Sequence, residues 1–64
     1  MPMKPKEMVK FLKKNGFSEV KGGGKGGHQK MYNSATNRTT EVPMHAKELS
    51  RAMENEILKQ AGLR

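Results

Sequence analysis

Five of the chain's seven glycines fall within six positions, Gly22-Gly23-Gly24-Lys25-Gly26-Gly27. A glycine inside a helix or strand costs roughly 0.5–1 kcal/mol relative to alanine, so such a dense run reads as a turn or long hairpin loop. It leads into His28-Gln29-Lys30-Met31-Tyr32. Backbone without Cβ atoms can approach a bulky anion closely. Lys25 and Lys30 add hydrated positive charge, and a histidine moves protons near neutral pH. A phosphodiester suits all three properties, so the expectation is a small basic domain holding an RNA backbone against His28. The plainer alternative is a solvated hairpin loop beside an ordinary histidine. Gly22, Gly24 and Gly27 match G-x-G-x-x-G, but a β-like run follows where that dinucleotide fingerprint requires a helix. A Walker A loop would end in Gly-Lys-Ser/Thr, which is absent.

On either side of the loop the pattern is easier to read. Pro5 can occupy a first helical turn, and Lys6–Asn15 has helical periodicity, with Met8, Val9, Phe11 and Leu12 as its apolar stripe. Asn15-Gly16 is a stop signal, with Phe17 free to fold back on the helix. Phe17–Lys21 reads as a short strand and His28–Tyr32 as a second. Alternation sets His28, Lys30 and Tyr32 on one face and Gln29 and Met31 on the other. Asn33–Asn37 has turn composition, and the β-branched Arg38–Val42 reads as a third strand ending before Pro43. Met44–Ser50 is a connector with possible helical content. A second helix begins near Ser50, a competent N-cap, and runs to about Gln60, burying Leu49, Met53, Ile57, Leu58 and Ala61. The connections are too short for parallel crossovers. The expectation is an α+β fold of order α-β-β-β-α, with two helices on one face of a three-stranded antiparallel sheet, as one domain over 1–64.

Sixty-four residues lie near the lower limit for unaided folding, so the core must be small and any active site a surface groove. Thirteen Lys and Arg against six Glu give a formal charge of +7 and a pI of about 10.1, above the roughly 9 that marks a nucleic-acid footprint. That balance points to a polyanionic partner. There is no cysteine, which excludes disulfides, thiolate catalysis and cysteine-based zinc sites. No apolar run reaches the about 18 residues of a membrane span, and no signal-peptide core opens the chain. The expected compartment is the cytoplasm, without membrane association.

At Gly26-Gly27-His28, Val42-Pro43-Met44-His45 and Ile57-Leu58-Lys59-Gln60-Ala61-Gly62 the sequence resembles the HicA family, small messenger-RNA interferase toxins of toxin–antitoxin pairs. Lys6–Leu12, Asn15-Gly16-Phe17 and Lys47-Glu48-Leu49 extend the likeness over nearly the whole chain. The resemblance implies a double-stranded-RNA-binding-domain-like fold. It also implies endoribonuclease activity on mRNA, ribosome-associated or free, and a HicB-type antitoxin that covers the site. The family's catalytic histidine corresponds to His28. The chain departs from the pattern at Gly27, where members usually carry a hydroxyl, and at Ala52-Met53-Glu54, where they often have Gly-Thr-Leu.

The residues expected to form the site are therefore His28 as catalyst, with Lys25, Gly26, Gly27, Lys30, Tyr32 and Arg38 contacting RNA. His45 is a possible secondary acid or base; its alternative is to order the turn after Pro43. Lys21, Lys47 and Arg51 are further phosphate contacts or plain surface. No metal or other cofactor is expected. Two other readings stay open: a non-catalytic double-stranded-RNA-binding module, and a decayed toxin that only binds its antitoxin.

Overall fold

Proline at a helix start sacrifices no hydrogen bond, and the chain enters its first helix, α1 (Pro5–Lys14), on Pro5. The computed structural model describes residues 3–21 and 27–64. Ahead of α1, Lys4 is extended, and the Glu7 carboxylate accepts the Lys4 N–H at 2.8 Å. Met8, Val9 and Leu12 are buried, whereas Phe11 is 41% exposed. The apolar stripe is narrower than expected. At 100° per residue, Phe11 lies about 110° round the helix from the centre of the stripe that Met8, Leu12 and Val9 define. At the far end Gly16 takes φ +92°. Its N–H donates to Lys13 O at 3.2 Å, and that of Phe17 to Leu12 O at 3.0 Å. This is a Schellman motif, and it delivers Phe17 into the core as expected.

Three strands follow, β1 (Ser18–Val20), β2 (His28–Asn33) and β3 (Arg38–Pro43), in antiparallel order β1-β2-β3. β1 is shorter than expected, and β3 runs on to include Pro43. Proline is tolerated there because β3 is an edge strand in this order. Pairing sets His28 opposite Pro43, Lys30 opposite Glu41 and Tyr32 opposite Thr39. Alternation then splits the hairpin. Met31, Asn33, Thr40 and Val42 point inward and are buried.

Two of those inward residues are polar, and each ties the sheet to a helix. Asn33 donates to Asn15 O at 3.2 Å and accepts from Ala35 N–H at 2.9 Å. The Thr40 hydroxyl lies 3.3 Å from Ile57 O and 3.0 Å from Gln60 Oε1. Both helices therefore lie on the inner face.

The second helix, α2 (Arg51–Gln60), starts at Ser50, whose hydroxyl accepts Met53 N–H at 3.1 Å. Such a cap is worth about 1 kcal/mol. The connector before it is not helical; it makes a turn in which Ala46 N–H reaches Pro43 O at 3.4 Å. Leu49, Ile57 and Ala61 are buried and Leu58 is partly so, but Met53 is 39% exposed. Met53 sits in the first turn, one turn before Ile57, and borders a groove beside β3. Gly62 (φ +74°) closes α2 with a second Schellman motif, Leu63 N–H to Leu58 O at 2.9 Å. Met3 clasps this side of the fold. It donates to Glu54 Oε2 at 2.8 Å and accepts Leu49 N–H at 2.7 Å.

Candidate functional site

Because helices cover only the inner face, the outward side chains of the β2–β3 hairpin are free to form a site. His28 opens β2, and Gly27 before it is fastened to the end of β3 by Met44 N–H donating to Gly27 O at 2.8 Å. This bond extends the ladder past Pro43, which has no N–H to give. It carries the chain directly to His45. The His28 and His45 rings stand 5.5 Å apart between centroids, tilted by 50°.

Gly27 makes that approach possible. Its φ is +83°, and a Cβ built there would lie 3.2 Å from His45 Nδ1 and 3.4 Å from His45 Cβ. A side chain at 27 would press on the second ring. The position where the resemblance anticipates a hydroxyl is thus, in this chain, bordered by an imidazole.

Glu41 is the second neighbour. Its Oε1 lies 3.6 Å from His28 Nδ1, with both side chains substantially exposed. That is too long for a hydrogen bond but within ion-pair range when His28 is protonated. Glu41 also faces Lys30 across the ladder, so one carboxylate stands beside two basic groups. With Nδ1 on the carboxylate side, His28 Nε2 is directed away from it.

His28 lies at one end of a groove of about 810 Å³ along β3, with Lys30, Thr39 and Glu41 on the sheet side and Met53, Glu56 and Gln60 on the α2 side. The expected site residues divide into those near His28 and those far from it. Gly27, Lys30 and His45 are near. Tyr32 shares the outer face, but its hydroxyl bonds Asn37 Oδ1 at 3.0 Å in the turn. Arg38 is at the opposite end of β3, about 17 Å along the strand from Pro43. Its side chain packs over Gly62, where a Cβ would fall 2.5 Å from Arg38 Nε. Lys21, Lys47 and Arg51 are exposed. Lys25 and Gly26 lie outside the described residues.

Among the described residues, no three His, Asp or Glu are placed to hold a metal ion together. The sequence expectations named neither Glu41 nor the α2 wall of the groove. The pairing register would have exposed Glu41, since it places the residue opposite Lys30 and diagonal to His28.

A family model described as the HicA toxin of bacterial toxin–antitoxin matches residues 5–63. The chain belongs to the HicA toxin family. Among curated proteins no relative matches it. Membership makes this HicA chain a toxin-type component with an antitoxin as partner. The expected α-β-β-β-α order agrees with the observed elements. No helix among the described residues is long and apolar enough to cross a membrane.

Proposed function

We propose that this HicA chain is an endoribonuclease that cleaves mRNA in the cytoplasm without a metal, with His28 as its catalytic residue, and that a HicB-type antitoxin neutralises it. The observation that carries the reading is the position of His28. It opens onto the uncovered face of a molecule of charge +7, with Glu41 at 3.6 Å and a second imidazole at 5.5 Å.

RNA brings its own nucleophile, the 2′-hydroxyl beside the scissile phosphate. The enzyme's tasks are to take that proton, to stabilise charge on phosphorus and to release the 5′-oxygen. His28 Nε2 takes the 2′-proton, and Glu41, 3.6 Å from the other ring nitrogen, favours the imidazolium that forms. General base catalysis of this kind contributes about 10² to 10⁴ in rate. Lys30, two residues along the same strand face, offers an ammonium to the non-bridging phosphate oxygens. Stabilising developing charge in this way often lowers a barrier more than any other single effect. Lys25 and the Gly26 and Gly27 amides are proposed as further phosphate contacts, with Tyr32 meeting RNA toward the far end of the hairpin. Arg38, opposite inward Asn33 and packed over Gly62, is on the other face and is not proposed to contact it. An antitoxin that blocks this face should present carboxylates to it.

The test is gel-resolved cleavage of a labelled RNA in excess EDTA by wild type and by His28→Ala, each shown folded by circular dichroism. Cutting by wild type alone supports the proposal. Binding without cutting by both, with ribosomes present or absent, would favour a non-catalytic RNA-binding module. Equal cutting by both would make His28 structural.

A further inference from the structure

The ribonuclease reading assigns a base but leaves open what protonates the departing oxygen, and a second imidazole stands 5.5 Å from the first. Resting on that reading, we propose that His45 is the general acid that protonates the leaving 5′-oxygen, and that Gly27 keeps open the space this pairing requires.

Three observations converge on His45. Its ring is 5.5 Å from that of His28, and the two planes are tilted rather than stacked flat. An in-line displacement has its attacking and leaving oxygens on opposite sides of phosphorus, and a proton donor must come within about 2.6–3.2 Å of its oxygen. Two imidazoles at this separation can lie along one side of a phosphate, each within reach of one apical oxygen. Second, the spacing is fixed by backbone, since the 2.8 Å bond from Met44 N–H to Gly27 O links the residues adjacent to the two histidines. Third, Gly27 at φ +83° presents no Cβ to a ring whose Nδ1 would be 3.2 Å away. The two histidines also have different company. His28 has Glu41 at its Nδ1, whereas no salt bridge to His45 is present among the described residues.

The proposed step is balanced. His28 takes the proton of the 2′-hydroxyl as the 2′-oxygen bonds to phosphorus. The bond from phosphorus to the 5′-oxygen then breaks, and His45 gives its proton to that oxygen. The products are a 2′,3′-cyclic phosphate and a 5′-hydroxyl, with no external reductant, oxidant or water consumed. Ordering of the turn after Pro43 is the alternative role for His45. It makes no demand on the leaving group.

That difference is the test. A matched pair of labelled RNAs is used, one ordinary and one with sulfur in place of the bridging 5′-oxygen at the cleaved position. Thiolate is a far better leaving group and departs without an acid. Wild type, His28→Ala, His45→Ala and His45→Gln are compared, each checked for fold by circular dichroism. We expect both His45 variants to lose about 10² to 10⁴ in rate on ordinary RNA and to return within about tenfold of wild type on the sulfur substrate. His28→Ala should stay slow on both. Equal losses for the His45 variants on the two substrates would overturn the proposal, as would undiminished cutting of ordinary RNA. If wild type cuts neither substrate, the ribonuclease reading falls first and this proposal with it.

Discussion

The β2–β3 hairpin has two ends, and glycine serves a different purpose at each. At the turn end, Gly16 and Gly62 close the two helices with positive φ and allow close approach of Asn33 and Arg38. At the open end Gly27 has the same kind of backbone, but no helix ends there, and its missing Cβ faces His45. One end uses glycine to terminate helices and lock them to the sheet. At the other, the missing Cβ leaves room beside two imidazoles 5.5 Å apart. Substitutions at the first should therefore lower stability without slowing turnover of the folded protein, and substitutions at the second should lower turnover.

The sharpest separation comes from His28→Ala against Asn33→Ala. Loss of His28 should reduce cleavage about 10² to 10⁴-fold, which is about 3–5 kcal/mol in the barrier. As an exposed surface change it should move stability by less than about 0.5 kcal/mol. Asn33→Ala strips partners from Asn15 O and Ala35 N–H at a buried site, and should cost about 2 kcal/mol of folding free energy. Its cleavage rate per folded molecule should be that of wild type. Urea unfolding of both variants beside single-turnover cleavage decides the matter. A stability loss in His28→Ala equal to that of Asn33→Ala would erase the distinction between the two ends.

Gly16→Ala and Gly27→Ala sharpen it further. Each forces an L-residue into left-handed backbone, costing about 1–2 kcal/mol. In both, the new methyl meets a side chain at 3.2 Å, that of Asn33 or of His45. The folding penalties should therefore be similar. Only Gly27→Ala should slow cleavage, by about tenfold or more, because only there is the displaced group a proposed proton donor. Gly27→Ser is the stricter case. If restoring a hydroxyl raises turnover, the residue matters for what it would donate and not for the room it leaves His45.

Much of this contrast could be read before any coordinates. The element order, the Ser50 cap and both glycine stops follow from local chemistry that acts within a few residues of itself. Periodicity erred where burial depends on the opposing surface, at Phe11 and Met53, since an apolar side chain at helical spacing is buried only if something covers it. The partner of His28 was hidden for a different reason. Strand bounds of His28–Tyr32 and Arg38–Val42 leave the pairing register open, and the chain pairs Asn33 with Arg38. A slip of one residue moves every side chain of a strand to the opposite face. With a slip of that kind Glu41 would point away from His28, so the strand bounds alone could not place it there. The approach of His45 was similarly hidden, because it depends on one backbone bond between Gly27 and Met44.

The smallest effect expected is at Glu41, and it has two opposing parts. An exposed ion pair is worth roughly 0–1 kcal/mol, so Glu41→Gln should leave stability almost unchanged. Removing a negative charge beside the proposed phosphate site should tighten RNA binding slightly, most visibly at low salt where screening is weak. If Glu41 also orients the His28 ring, turnover should fall a few-fold even as affinity rises. Single-turnover rates and binding titrations on the same RNA separate the two. A fall in rate with tighter binding makes Glu41 the residue that positions the base. A rise in both would mean that it only repels phosphate, and the open end of the hairpin would then depend on its two histidines alone.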